Sequence, residues 1–435
     1  MTKKPRIFIG LREIAGYFHH LKKGFDVLGI DSIFVNLSGN PFQYDTDKNP
    51  PFINALNHYS QKIGMMFFGN WILRVIWVAF LQNMISLFLF PWALFKYDVF
   101  IFASNSTFFF FIDLPILKLF RKKIIYVFLG SEARPVYLNG YVIKNDSFSS
   151  ILTGICITRI QKIMISIIEN FADHIINNPP QAYFQSRPFI NSLCIGIPHS
   201  ANLHKVKDAS NNNPDKNIVR ILHAPSKPEP KGTPVIRQAI HSLQQKGLAL
   251  DYVEITGRPN AEVLRELERC DFIIDEIYSD TPMAVFATEA AFAGKPAIVG
   301  SYYVGRIKDD LPQSDMPPSM FCHPDRLETA IEKLIIDHKF REELGEKALE
   351  FVKTNWSATK VARHYLSLIT GNFPAKWLFD PVNIRYLHGC GLAEAKAKRI
   401  IAAFLKTGGR RSLCLSGKPQ LEEMFVRFAD TNDLN

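Results

Sequence analysis

Short, unbroken apolar runs alternate along this chain with longer segments of helical period. RIFIG (6–10), DSIFVN (31–36), DVFIFA (98–103), KIIYVFLG (123–130) and DHIINN (173–178) read as strands. Their continuous apolar character suits parallel strands covered on both faces. Helix-length segments at 12–29, 71–96 and 151–172 lie between them. The stretch 202–217, NLHKVKDASNNNPDKN, is polar and loop-like. After it the alternation restarts: strand 218–224, helix 233–246, strand 250–256, helix 260–269, strand 271–276, helix 283–293, strand 296–300. One helix is predicted over 325–353 and another over 355–369. The pattern predicts an α/β fold of two Rossmann-like domains facing a cleft. The expected divisions are 1–201, 202–372 and a small helical C-terminal extension, 373–435.

One segment, VIWVAFLQNMISLFLFPWALF (75–95), is long enough to span a bilayer. It contains Gln82, Asn83, Ser86 and Pro91, and Arg74 and Lys96 flank it. A true span would put the first two strands and all later ones on opposite sides of the membrane, so the first sheet could not form. A buried or interfacially docked helix is the better reading. The start, MTKKPRIFIGLREIAG, has only a four-residue apolar run and reads as a first strand rather than a signal peptide.

Composition changes this picture little. A hydrophobic share of 47% with 21% charged residues indicates a folded chain rather than a disordered one. The net charge of +10 permits nucleic acid, anionic lipid or phosphorylated ligands as partners and selects none of them. The six cysteines are scattered without a CxxC pair. They suit a reducing compartment and argue against a zinc site or a disulfide framework. No HExxH, P-loop or GxSxG motif occurs, so no metal and no cofactor are expected.

Two stretches carry candidate chemistry. In PMAVFATEAAFAGKPAIVG (282–300), an apolar helix holds one carboxylate, Glu289. Ligands of an open α/β sheet bind beyond the carboxyl ends of its strands. A helix start there offers free N–H groups and partial positive charge to a phosphate. Glu289, about two turns in, could take sugar or ribose hydroxyls, or simply pair with a nearby Lys or Arg. In HAPSKPEPKGT (223–233), Lys227 and Lys231 sit at a strand-to-helix turn that closes with Gly232, a place suited to a diphosphate. Taken alone, such a turn is a basic surface loop.

Together these stretches resemble the donor half of the group 1 family of GT-B glycosyltransferases. The resemblance covers roughly residues 1–372 and is stronger in the second half. It implies that Lys231 of the KG turn binds the donor diphosphate and that Glu289 holds the ribose. Lys227, Gly232, Arg258 and the backbone of Met283, Ala284 and Val285 would complete the donor site. In the first half, the 10–17 loop with Gly10, Arg12 and Gly16 and the 130–134 loop with Glu132 and Arg134 would serve the acceptor. Glu132 is a further catalytic candidate. Two positions depart from the family pattern. Thr281 stands where the first acid of E-x7-E belongs, with Asp280 beside it and Asp275 further back. Leu129 replaces the histidine of an HGSD-like motif.

The function implied is transfer of a sugar from a nucleotide-diphosphate donor to a glycan or a lipid-linked acceptor, with retention, as in bacterial polysaccharide biosynthesis. The location implied is cytoplasmic, with peripheral contact on the anionic inner face of a membrane. The rival from another class is a non-catalytic nucleotide- or glycan-binding protein on the same fold. Nucleic acid is not expected as a partner. LHGCGLAEAKAKRII (387–401) has the glycine pair of a DNA-binding helix-hairpin-helix but not its helical spacing, so the tail reads as a packing or partner module. His19 and His20 are adjacent and point to different helix faces, which suits a surface or acceptor-cleft position rather than a metal pair.

Overall fold

The computed structural model describes residues 4–37, 71–103, 106–130, 132–143, 145–200 and 218–430, with the backbone alone over 71–82. The polar joint at 202–217, and with it the expected 201/202 division, lies outside the described residues. The first sheet is built from β1 (Ile7–Leu11), β2 (Ser32–Asn36), β3 (Val99–Ala103), β4 (Lys123–Val127), β5 (His174–Asn177) and β6 (Phe189–Asn191). All six are parallel, in the order β6-β5-β4-β3-β1-β2. The second contains β7 (Val219–His223), β8 (Leu250–Glu254), β9 (Phe272–Ile274), β10 (Ala297–Gly300) and β11 (Met320–Cys322). It too is all parallel, ordered β11-β10-β9-β7-β8. A short strand from the tail, β12 (Leu378–Phe379), closes the β6 edge of the first sheet antiparallel.

The central strands β1 and β3 are buried at every residue, as their unbroken apolar sequences require when helices cover both faces. The edge strand β8, LDYVE, is half-buried throughout and mixes apolar with charged residues. In each sheet the strand order reverses at the first strand, β1 or β7. These reversals are the places where the loops part and ligands enter.

The helices are α1 (Tyr17–Val27), α2 (Trp71–Lys96), α3 (Asp113–Leu119), α4 (Phe148–Phe171), α5 (Thr233–Gln245), α6 (Asn260–Arg269), α7 (Val285–Phe292), α8 (Leu327–Ile336), α9 (His338–Asn355), α10 (Ala358–Thr370), α11 (Glu394–Gly408) and α12 (Pro419–Asp430). The single helix expected over 325–353 is two. Asp337 ends α8 and its carboxylate accepts from the Phe340 N–H at 2.9 Å, restarting the chain as α9. Both α2 and α4 are flanked by strands of the same sheet, and β4 and β5 on either side of α4 are parallel neighbours. Neither helix therefore crosses a membrane, although α4 is long and apolar enough to do so. α4 buries Ile151, Ile155, Ile165 and Ile168 against the first domain.

The chain returns to the first domain after the second. α10 packs on α1 so closely that a Cβ on Gly24 would lie 2.1 Å from the Ala358 carbonyl oxygen. Tyr17 and Tyr365 share a hydrogen bond of 3.0 Å across that contact. The tail is thus not a detached helical piece. Besides β12, it lays α11 on α4, with Phe404 against Gly154, and the Tyr137 hydroxyl donates to the Leu413 carbonyl at 3.1 Å. Its 388–391 loop then reaches the second domain. The Gly391 N–H donates to the Tyr278 carbonyl at 3.0 Å, and the Gly140 N–H donates to the Cys390 carbonyl at 3.0 Å. A Cβ on Gly140 would fall 1.8 Å from the Gly391 oxygen, so the two backbones pack without side chains between them.

Candidate active site

The two strand reversals face each other across a cleft of about 600 Å³. On the second-domain side, β7 leads through Ala224–Ser226 to a helical turn, Pro228–Lys231, that ends at Gly232 with φ +77°. This turn brings Lys231 over the end of β9. Its ammonium lies 3.1 Å from Asp275 Oδ1 and 3.1 Å from Glu276 Oε2. Burial works against the Lys231 charge, but Asp275 and Glu276 outweigh it and hold the ammonium well above its ordinary value. Burial raises the Glu276 carboxyl, and Lys231 opposes that rise. Tyr141 of the first domain donates its hydroxyl to Glu276 Oε2 at 3.4 Å, and the Cys390 thiol lies 3.9 Å from the same oxygen.

Asp280 joins the two domains. It is buried and ion-paired with the buried Arg134 guanidinium, and it accepts from Gln181 Nε2 at 2.9 Å. Its backbone carbonyl accepts from Asn178 Nδ2 at 2.8 Å. All four residues line the cleft. Arg134 Nε, Asn178 Oδ1, Gln181 Oε1 and Asp275 Oδ2 are buried without a hydrogen-bond partner among the described residues. Native interiors rarely leave such atoms unpaired, and these four belong to residues that line the cleft.

Glu289 also lines the cleft, in α7, whose N-terminal residues Val285 and Phe286 do the same. Its carboxyl accepts from Asn260 Nδ2 at 3.4 Å. Burial pushes its carboxyl up to about 8, so it is a neutral acid at pH 7. On the first-domain side, Glu13 accepts from the N–H groups of Ile14, Phe18 and His19 at 2.8, 3.2 and 2.9 Å, closing the start of α1. Burial still carries it to about 7. The cations at the rim are Arg12 and Arg258, both exposed, neither in an ion pair or hydrogen bond with another described residue. Among the described residues, no group of three or more His, Cys, Asp or Glu side chains has metal-holding geometry.

No family model matches the chain, and no curated protein does. Among solved structures, Anabaena Alr3699/HepE in complex with UDP and glucose superposes with a TM-score of 0.51, over 85% of this chain and 100% of that one, at 12% identity. The same protein in complex with UDP-glucose gives a TM-score of 0.50, over 84% and 99%, again at 12% identity. The chain has the GT-B fold. At this identity the likeness concerns architecture.

On this GT-B frame, Lys231, Glu289, Arg258, Met283, Ala284, Val285, Arg12 and Arg134 come together on one cleft. Leu129, Asp275, Asp280 and Thr281 line it as well, whereas Gly10, Gly16, Lys227, Gly232 and Glu132 do not. Gly10 sits inside β1, paired with Val35, and Gly16 starts α1 with φ +76°. Gly232 packs against Ile277, and Lys227 lies over the Tyr141 ring at 5.8 Å. Glu132 lines a neighbouring cavity with Arg12 instead, and its carboxylate accepts from the Leu129 N–H at 2.7 Å. Arg134, expected to meet an acceptor, is engaged by Asp280. Lys231, expected to bind the donor diphosphate, lies between the Asp275 and Glu276 carboxylates. Sequence reasoning missed Glu276, Tyr141, Cys390, Asn178 and Gln181. Asp275 and Asp280 could be found only as acids near the empty E-x7-E position. Cys390 had no local signal at all.

Two expectations follow. Lys231→Ala leaves Asp275 and Glu276 buried without their cation, and breaking such a cluster costs about 3–5 kcal/mol. The variant should unfold at markedly lower denaturant concentration at pH 7. An unchanged midpoint would mean that the two acids find another partner. The second expectation concerns Glu289. Its folded value of about 8 exceeds its ordinary 4.5. The stability of the protonated form is therefore complete below about 4.5 and is lost as pH rises towards 8. Glu289→Gln removes that loss. The variant should match wild type near pH 5 and gain on it by pH 8, by on the order of a few kcal/mol. A stability gap that is flat from pH 5 to 8 would place Glu289 at its ordinary value.

Proposed function

We propose that this protein is a glycosyltransferase that moves a sugar from a nucleotide-diphosphate donor to an acceptor hydroxyl. The observation that carries this reading is the meeting of Glu289, the α7 start, Arg258 and Lys231 on one cleft at the strand reversal of the second sheet. In the transfer, the acceptor oxygen bonds to the sugar's anomeric carbon while the bond from that carbon to the diphosphate oxygen breaks. The acceptor proton leaves with the diphosphate. Negative charge grows on the departing phosphate, where Arg258 and the N–H groups that open α7 can meet it. Lys231, fixed by its two acids, presents the remaining N–H donors of its ammonium to the same place. As a neutral acid, Glu289 can donate to one ribose hydroxyl and accept from the other.

UDP is the probe for this reading, being the nucleotide held in the Anabaena structures. Arg258→Ala should weaken UDP by roughly 10- to 100-fold, the worth of one charge-assisted contact, and uridine far less. Isothermal calorimetry compares the two. Equal losses for UDP and uridine, or no UDP binding by wild type, would remove the donor site from this cleft. A second reading, a non-catalytic nucleotide- or glycan-binding protein, is favoured by the two carboxylates on Lys231, which compete with a phosphate. Release of UDP from UDP-sugars by wild type separates the two: turnover supports the transferase, and binding without turnover supports the alternative.

On the acceptor side, the first domain carries a broad exposed apolar surface that suits peripheral contact with an anionic membrane. The described part of α2 exposes Phe88 (80%) and Phe95, α3 exposes Leu119 (79%), and the Phe95 and Phe120 rings meet at 6.2 Å, making the patch continuous. Lys96, Arg121 and Lys122 border it. Apolar side chains can enter the headgroup boundary while the cations meet anionic lipid. The protein should float with anionic liposomes at low salt and be released in part by high salt. Phe88→Glu combined with Leu119→Glu should abolish flotation. Failure of wild type to float at low salt would assign the patch to another partner.

A further inference from the structure

A second hollow joins the main cleft. Two smaller cavities, of about 310 and 230 Å³, lie between α4 and the segment that follows Arg134. Val136, Val142 and Ile157 line both, so the two form one trough along α4. At one end Arg12 and Ile14 line both the trough and the main cleft. At the other end the trough is lined by Gly154, Ser150 and the exposed Ser149 and Thr153. Between those ends Val136, Val142, Ile157, Ile160 and Met164 wall it, together with the polar Glu132, Asn139 and Gln161.

Two features of this trough call for an occupant. Ile157 and Ile160, on its α4 wall, are 39% and 56% exposed, which leaves apolar surface open along the trough. Where the trough meets the cleft, Arg12 is exposed and makes no ion pair with another described residue; the Glu132 carboxyl that shares this end is tied to the Leu129 N–H and raised by burial. An apolar channel that runs into a guanidinium beside a transfer cleft matches one kind of molecule, an amphiphile with a single hydrocarbon chain and an anionic head. The geometry points to this trough as the seat of a lipid-phosphate acceptor's chain, with Arg12 on the phosphate and the head's hydroxyl in the main cleft. This assignment rests on the reading of that cleft as the transfer site and narrows the acceptor to a lipid-linked one. α4 also exposes Phe148 and Leu152 to the outside, so a chain can enter sideways from a bilayer surface rather than through the cleft mouth.

Dodecyl phosphate and butyl phosphate, each below its critical micelle concentration, are the probes, followed by calorimetry on the full chain, with UDP titrated in parallel. The dodecyl chain should bind more tightly, with affinity rising by up to about fourfold for each methylene that enters the trough. Ile157→Asp should weaken dodecyl phosphate by at least tenfold, and the more exposed Ile160→Asp serves if the first variant folds poorly. UDP binding should be unchanged in either. Leu119→Asp, on the exposed patch away from the trough, should leave both ligands unaffected. Equal affinity for the two chain lengths would overturn the assignment. So would equal losses from Leu119→Asp and Ile157→Asp, which would mean adsorption to apolar surface in general. Chain-dependent binding without any UDP binding would keep the trough and remove the donor reading.

Discussion

The ion pair between Arg134 and Asp280 is the contact on which the cleft depends. It crosses from one domain to the other, both partners are buried, and amide groups of Asn178 and Gln181 hold the same loop. Removing either charge would leave the other stranded in a medium that solvates it poorly, which is why such pairs are far more costly to break than to replace whole. The anchored loop runs from Asp275 to Ala284. It therefore sets where Asp275 and Glu276 meet Lys231 and where α7 begins. The relative position of the two sheets and the arrangement of the site are one problem with one solution.

The charges around that loop are unevenly matched. Lys231 and Arg134 stand against Asp275, Glu276 and Asp280, two cations for three carboxylates. An anionic ligand entering here meets a deficit of positive charge unless protons or rim arginines make it up. Burial already lifts Glu276 and Glu289 toward their neutral forms, and Arg12 and Arg258 wait at the edge. The cleft thus handles an anion by withholding carboxylate charge as much as by supplying cations.

Much of this architecture was legible in the chain because parallel strands covered on both faces have no polar alternation to obscure them. The runs at 6–10, 31–36, 98–103 and 123–130 are strands for that reason. β6, β11 and β12 were not legible: two or three residues carry no period, and β12 exists only because the tail finds the open edge of β6. The break at Asp337 is a capping event inside an otherwise continuous helical pattern. For the site, Lys231 and Glu289 were visible through local spacing next to a strand end. The acids that hold Lys231 lie 44 and 45 residues away, and Cys390 is brought in by backbone packing of glycines. Long-range charge partners leave no trace in local pattern.

The edge strand β12 carries a consequence for how the molecule is made. The first domain begins at the N-terminus, yet its sheet is finished by residues 378 and 379, and α11 covers α4 only after that. Domains emerging from a ribosome tend to fold in order, each as its sequence appears. Here the first domain stays open at its β6 edge until the second has been synthesised in full. A chain stopped short of residue 378 would display an unpaired strand edge, the surface on which other chains add. Synthesis past residue 379 is therefore the step that covers this edge.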